Sequence, residues 1–108
     1  MTLLQERDCA RRVRRFEVLA ETRRRLKRAL ADLIPGQKVI LFGSLTKPGV
    51  FNDRSDVDLA LESEPPSVSL AGLTSELEER LQRRVDVVLL SQCHWRDKIL
   101  REGEVWTA

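Results

Sequence analysis

The sequence predicts a small α/β (α+β) fold, a mixed sheet with helices packed on it, and three observations carry that reading. Three short runs, 38–42, 56–62 and 85–90, are rich in β-branched and apolar residues and bounded by turn residues, as strands are. Between the second and third, Leu70, Leu73, Leu77 and Leu81 recur at helical spacing. Ahead of all of them, residues 4–34 contain no Gly or Pro and carry an apolar stripe of helical period. The order α-β-β-α-β-α in 108 residues makes one domain, 1–108, with a single core.

The first element is a basic helical segment, residues 1–34. Ala10, Val13, Phe16 and Leu19/Ala20 begin its stripe, and Leu26, Leu30, Leu33 and Ile34 continue it. One helix of that length would extend about 45 Å at 1.5 Å per residue, long for so small a body. Two outcomes are expected: a break near Glu21-Thr22, with Thr22 capping a second helix, or an N-terminal half that projects toward a partner. Either way the stripe needs cover. Residues 1–30 hold ten Arg/Lys against four acids, net +6, and the remainder is net −4. Such a helix suits a solvated face, a phosphate backbone or an acidic partner, and charge alone does not establish nucleic-acid binding.

Pro35-Gly36 ends this helix. The strand at 38–42 is closed by Gly43-Ser44, and 45–54 is a loop or single helical turn containing Pro48-Gly49. The run 56–62 alternates polar and apolar residues, as a strand with two different faces does. Glu64-Pro65-Pro66-Ser67 links it to the helix at 70–81, and 85–90 reads as a strand buried on both faces. Ser91 caps a last helix with Trp95, Ile99 and Leu100 inward, Gly103 stops it, and Glu104-Val105-Trp106 adds a short edge strand. His94 suits a surface or capping position, and Trp95 and Trp106 suit the core or a partner interface.

Composition narrows the class. The chain is 42% hydrophobic and 33% charged, and no apolar stretch reaches the roughly 18–20 residues that span a bilayer. Its N-terminus lacks the apolar core of a secretory signal. Cys9 and Cys93, far apart in sequence and in no metal-ligand spacing, are expected to be reduced thiols, so the expected location is cytoplasmic.

The chemistry concentrates in four pieces. Gly43-Ser44 is followed after eleven residues by Asp56-Val57-Asp58, and Asp86 stands alone in an apolar run. On a strand, i and i+2 share a face, so Asp56 and Asp58 project together and can bracket a hard cation such as Mg²⁺. A carboxylate in a buried strand needs a cation or an exposed strand end, and Arg83 and Arg84 are its nearest ion-pair candidates. A glycine at a strand's end lets backbone amides approach a phosphate, and the Ser44 hydroxyl can donate to its oxygens. The turn is neither a Walker loop nor a Rossmann fingerprint.

Together Val-Ile-Leu-Phe-Gly-Ser, Ser-Asp-Val-Asp-Leu-Ala-Leu and Val-Asp-Val-Val-Leu-Leu resemble the nucleotidyltransferase superfamily that includes DNA polymerase beta, most closely its minimal nucleotidyltransferase (MNT) branch. The ending Arg-Glu-Gly-Glu-Val-Trp also looks like that branch. The resemblance implies the nucleotidyltransferase fold with a catalytic core at 37–91, and Asp56, Asp58 and Asp86 as catalytic ligands of two Mg²⁺ ions. Asp86 would help deprotonate the attacking hydroxyl, and Gly43, Ser44, Lys47 and Ser55 would bind the nucleotide. Leu45 and Thr46 depart from the basic or bulky polar residues common after Gly-Ser, which leaves Lys47 to restore positive charge. Minimal members are often antitoxins that use ATP to adenylylate a tyrosine on a HEPN ribonuclease toxin. The implied activity is therefore AMP transfer to a partner protein, in a homo- or hetero-oligomer, with nucleic acid not a direct substrate. The alternative from another class is a non-catalytic antitoxin that blocks a HEPN ribonuclease by covering it. Nucleic-acid binding through the basic helix is a third reading.

Overall fold

A computed structural model describes residues 2–108. Its elements are α1 (Leu3–Leu33), β1 (Lys38–Phe42), β2 (Val57–Leu61), α2 (Leu70–Leu81), β3 (Val85–Leu89), α3 (Arg96–Glu102) and β4 (Glu104–Thr107), with single 3₁₀ turns at Gly43–Thr46 and Leu90–Gln92. The sheet order is β3-β2-β1-β4. Antiparallel pairing joins β1 to β2 and to β4, and β2 runs parallel to β3. The mixed sheet with packed helices is the predicted class.

Strand alternation divides the side chains between two faces. Val39, Leu41, Val57, Leu59, Leu61, Val85 and Leu89 enter the main core with Leu26 and Leu30 of α1 and Leu73, Leu77 and Leu81 of α2. On the other face Ile40, Ala60, Leu90 and Ile99 form a smaller cluster, flanked by Phe42 and Val88. α2 forms because Ser69 caps it, its hydroxyl accepting from the Gly72 amide at 3.0 Å, and it stops at Gln82 in the left-handed region, φ 53°. The two-turn α3 lies on this face through Ile99.

One of the two outcomes open for α1 holds, and three expectations are corrected. α1 does not break at Glu21-Thr22: Thr22 is buried mid-helix, and the first turn is capped instead by Thr2 and Gln5 in a reciprocal capping box. Its outer half projects, leaving Leu3, Leu4, Val13 and Phe16 exposed, and the molecule is 54 Å in its longest extent. β3 is not buried on both faces; it is an edge strand, so Asp86 is exposed without strain on the core. Ser91 does not cap the last helix, because Leu90–Gln92 turns first to drop Leu90 into the small cluster. α3 therefore begins at Arg96 and buries Ile99 alone, while Trp95 and Leu100 stay exposed. Cys9 and Cys93 are free thiols. Among the described residues no helix is long and apolar enough to cross a membrane.

Close packing is tightest where α3 meets β1. A Cβ on Gly103 would lie 2.5 Å from Ile40 Cγ2 and 2.5 Å from the Ile99 carbonyl oxygen. Gly103→Ala is expected to destabilise the chain by about 1–3 kcal/mol, the range for overpacking, measured by urea unfolding. Leu26→Ala, at a fully buried site, is expected to cost about 2–5 kcal/mol. Phe16→Ser, at a side chain that is 51% exposed, should leave the monomer's stability within about 0.5 kcal/mol of the parent.

Candidate active site

Two registers meet at Asp58. It stands opposite Phe42 of β1 on one side and opposite Asp86 of β3 on the other. The next row on the same face is Ile40, Ala60 and Val88, the floor of the small cluster. The row Phe42–Asp58–Asp86 lies next to that apolar floor, with Phe42 packed against it, Asp58 half-buried and Asp86 exposed. Asp56 precedes β2 by one residue and has the same parity as Asp58, so all three carboxylates belong to one face.

The loop that delivers Asp56 is held by Arg83. Its Nη1 donates to the carbonyl oxygens of Asn52 (3.1 Å) and Ser55 (2.8 Å), and its guanidinium lies 4.7 Å from the centre of the buried Phe51 ring. Arg83 is thus engaged with the loop rather than with Asp86, and Arg84 forms no ion pair among the described residues. The Ser55 hydroxyl accepts from the Asn52 amide at 3.0 Å, closing the turn and leaving its own proton to donate.

Gly43 sits between this row and the phosphate turn. Its φ is +70°, and a Cβ there would lie 2.6 Å from Asp58 Oδ2. Glycine is required twice over, by the backbone and by the carboxylate beside it. The turn that follows is stapled by Thr46, whose hydroxyl donates to the Gly43 carbonyl at 2.9 Å. Leu45 points into the main core, fully buried, and Arg23 donates to its carbonyl oxygen at 3.1 Å. Its apolar character therefore belongs to packing; of the predicted nucleotide-binding residues Gly43 and Lys47 line the open side, with Thr46 beside them, while Ser44 and Ser55 are not part of that lining. A cleft of about 590 Å³ opens there, lined by Phe42, Gly43, Thr46 and Lys47 on one side and Trp95, Lys98, Ile99 and Glu102 of the α3 segment on the other. The α3 side went unread in the sequence, because capping the helix at Ser91 turns Trp95 inward; the spacing 95, 98, 99, 102 does mark one helical face.

Electrostatically the carboxylates are unneutralised. Among the described residues none of Asp56, Asp58 and Asp86 has a salt-bridge partner. Burial, then Asp86, then Asp56 push the Asp58 carboxyl up to about 6. The three groups do not close into a ready-made cage, and none of them lines the cleft beside the turn: among the described residues no set of three such side chains stands at metal-holding distance. Hard oxygen donors, adjacent strands and uncompensated negative charge nonetheless fit a divalent cation such as Mg²⁺, which keeps much of its water and takes substrate phosphates as further ligands.

A raised carboxyl keeps its proton in the folded chain at pH values where the unfolded chain has lost it. Stability therefore falls as pH rises from about 4 to about 6, and the penalty is complete above that window. Asp58→Asn should raise the metal-free melting temperature at pH 8 and leave it unchanged at pH 3. The gain is on the order of 1 kcal/mol once solvent screening of this half-exposed group is allowed for. Added Mg²⁺ should narrow the difference by stabilising the parent. Gly43→Ala should lower stability by at least about 1 kcal/mol, read by chemical denaturation, since it forces both a left-handed alanine and a displaced Asp58.

Comparison with known proteins gives the family. The family model for the nucleotidyltransferase domain matches residues 23–104, a span that contains the turn, the three carboxylates and α3. No curated protein matches. Among solved structures, a crystal structure of a toxin-antitoxin with AMP-PNP is similar at a TM-score of 0.59 and 25% identity, covering 79% of this chain and 73% of that chain. With a family match over most of its length and the fold to go with it, the chain belongs to the nucleotidyltransferase domain family.

Proposed function

We propose that the chain is a metal-dependent nucleotidyltransferase that moves AMP from ATP to a hydroxyl on a partner protein, as the antitoxin of a pair whose toxin is a HEPN-type ribonuclease. The observation that carries the reading is the row in which Asp58 is paired in register with Asp86 and touches the Gly43 turn. The toxin-antitoxin neighbour holding AMP-PNP supports both the nucleotide and the kind of partner. The chain contains no tyrosine, so a tyrosine acceptor has to come from another molecule.

In this reading Gly43 and Ser44 hold the phosphates through backbone amides and the Ser44 hydroxyl, and Lys47 and Ser55 add a cation and a donor. Asp56, Asp58 and Asp86 hold the metal, two ions in the full assignment. Bound Mg²⁺ supplies charge neutralisation at the attacking and departing oxygens. The acceptor oxygen bonds to the α-phosphorus as the bond from that phosphorus to the bridging oxygen breaks, and pyrophosphate leaves. Asp86, the most exposed of the three, takes the hydroxyl proton. Positioning and neutralisation do the catalysis, with no covalent intermediate on the chain.

A non-catalytic blocking role is favoured by one observation, the apolar stripe of the outer half of α1, which stands apart from the cleft. Incubation with Mg²⁺-ATP and the co-purifying partner separates the two. The expected result is an adenylyl mass gain on the partner, reduced at least a thousandfold by Asp58→Ala. Neutralisation of the toxin that survives both Asp56→Ala and Asp58→Ala, with no mass gain in the parent, would sink the transferase reading.

A further inference from the structure

The cleft beside the Gly43 turn has a second wall that the reaction above does not use. Trp95 and Lys98 stand on one face of the α3 segment, one turn apart, across the opening from Lys47. Trp95 is 68% exposed, in a place where packing does not require an indole. Among the described residues neither Lys47 nor Lys98 has a carboxylate partner, so two unpaired ammonium groups flank one opening. The other tryptophan is accounted for. Trp106 packs against the main core, its Nε1 donates to Glu104 at 2.6 Å, and Arg23 lies 5.1 Å from its ring centre.

We propose that α3 supplies the nucleoside-recognition half of the site, with Trp95 as the stacking platform for the base and Lys98 as a second cation for the phosphates. The inference rests on the transferase reading and adds to it the residues that grip the nucleotide. An aromatic face in a cleft of about 590 Å³ suits a planar purine. Stacking a base on an aromatic side chain is worth about 1–3 kcal/mol and tolerates different bases, because every base has a π-face. The wall therefore provides affinity for purine nucleotides generally, and discrimination between adenine and guanine would fall to a polar neighbour such as Glu102, which shares the wall. Since Trp95 and Lys98 are both exposed, their replacement leaves the core intact.

The test is binding of AMP-PNP to the full chain in the presence of Mg²⁺, by calorimetry and by tryptophan fluorescence. Quenching on nucleotide addition is expected in the parent and absent in Trp95→Phe. Trp95→Ala should weaken binding roughly five- to a hundredfold, with Trp95→Phe recovering much of the loss. Lys98→Gln should weaken AMP-PNP severalfold, flatten its salt dependence and leave adenosine binding unchanged. Equal affinity of the parent and Trp95→Ala for AMP-PNP overturns the inference while the transferase reading stands. Failure of the parent itself to bind AMP-PNP by either method overturns both.

Discussion

The register of β2 with its two neighbours is the constraint on which the site depends. β2 is antiparallel to β1 and parallel to β3, and both pairings place their polar row at Asp58. A slip of one residue would send Asp58 toward the main core and take Val57 and Leu59 out of it. Burying an unpaired carboxylate among Leu41, Leu73 and Leu77 costs several kcal/mol, so the hydrophobic pattern that folds the sheet also aims the carboxylates. Fold and site are in this sense one decision. The burial and carboxylate repulsion that push Asp58 up are the residue of that decision, accepted by the fold because Val57, Leu59 and Leu61 outweigh them.

Two arginines transmit the order of the core to the irregular parts of the site. Arg83 fastens the 51–55 loop ahead of Asp56. Arg23, on α1, reaches the Leu45 carbonyl behind the phosphate turn, pairs with Glu104 of β4 and covers Trp106. Burial raises the Glu104 carboxyl, but hydrogen bonds from Arg23 and Trp106 outweigh it and hold that group below its ordinary range. Among the described residues neither arginine forms an ion pair with the three carboxylates. Both act on backbone and on partners, which sets the turn and the loop at fixed distances from the strands without filling the cleft.

Much of this was legible in the sequence where one physical effect dominates. β1, β2, α2 and β3 follow from apolar periodicity bounded by turn residues, and β4 from its place after Gly103. Gly43-Ser44 and the three aspartates stand out because residue type and spacing leave few uses for them together, and the fold sets Gly43 beside Asp58 and Asp58 opposite Asp86. Less legible was whatever depends on what lies next to an element. That β3 is an edge strand cannot be read from Val85–Leu89, since it depends on which strand takes the outer place. α1 runs unbroken because Thr22 finds burial against the core, where a capping role was the local expectation. The start of α3 moved five residues past Ser91 because burying Leu90 came first, and that shift brought Trp95 and Lys98 onto the cleft. Leu45 looked like a defect in a phosphate loop; packed in the core, it is the turn's anchor.

The unbroken α1 has one more consequence. A helix of about fifteen residues is marginal in water by itself, chiefly because its first turn is costly to nucleate. Here the inner half, from Val18 onward, is already fixed by the core, so the outer half grows from an existing nucleus and is finished by the Thr2–Gln5 box. Only propagation is asked of it. The outer turns should open and close in sequence from the free end, fastest near Leu3 and slowest near Val18, a gradient visible in amide exchange. A molecule that grips the outer turns meets a rod already formed, so little ordering entropy is lost in the encounter.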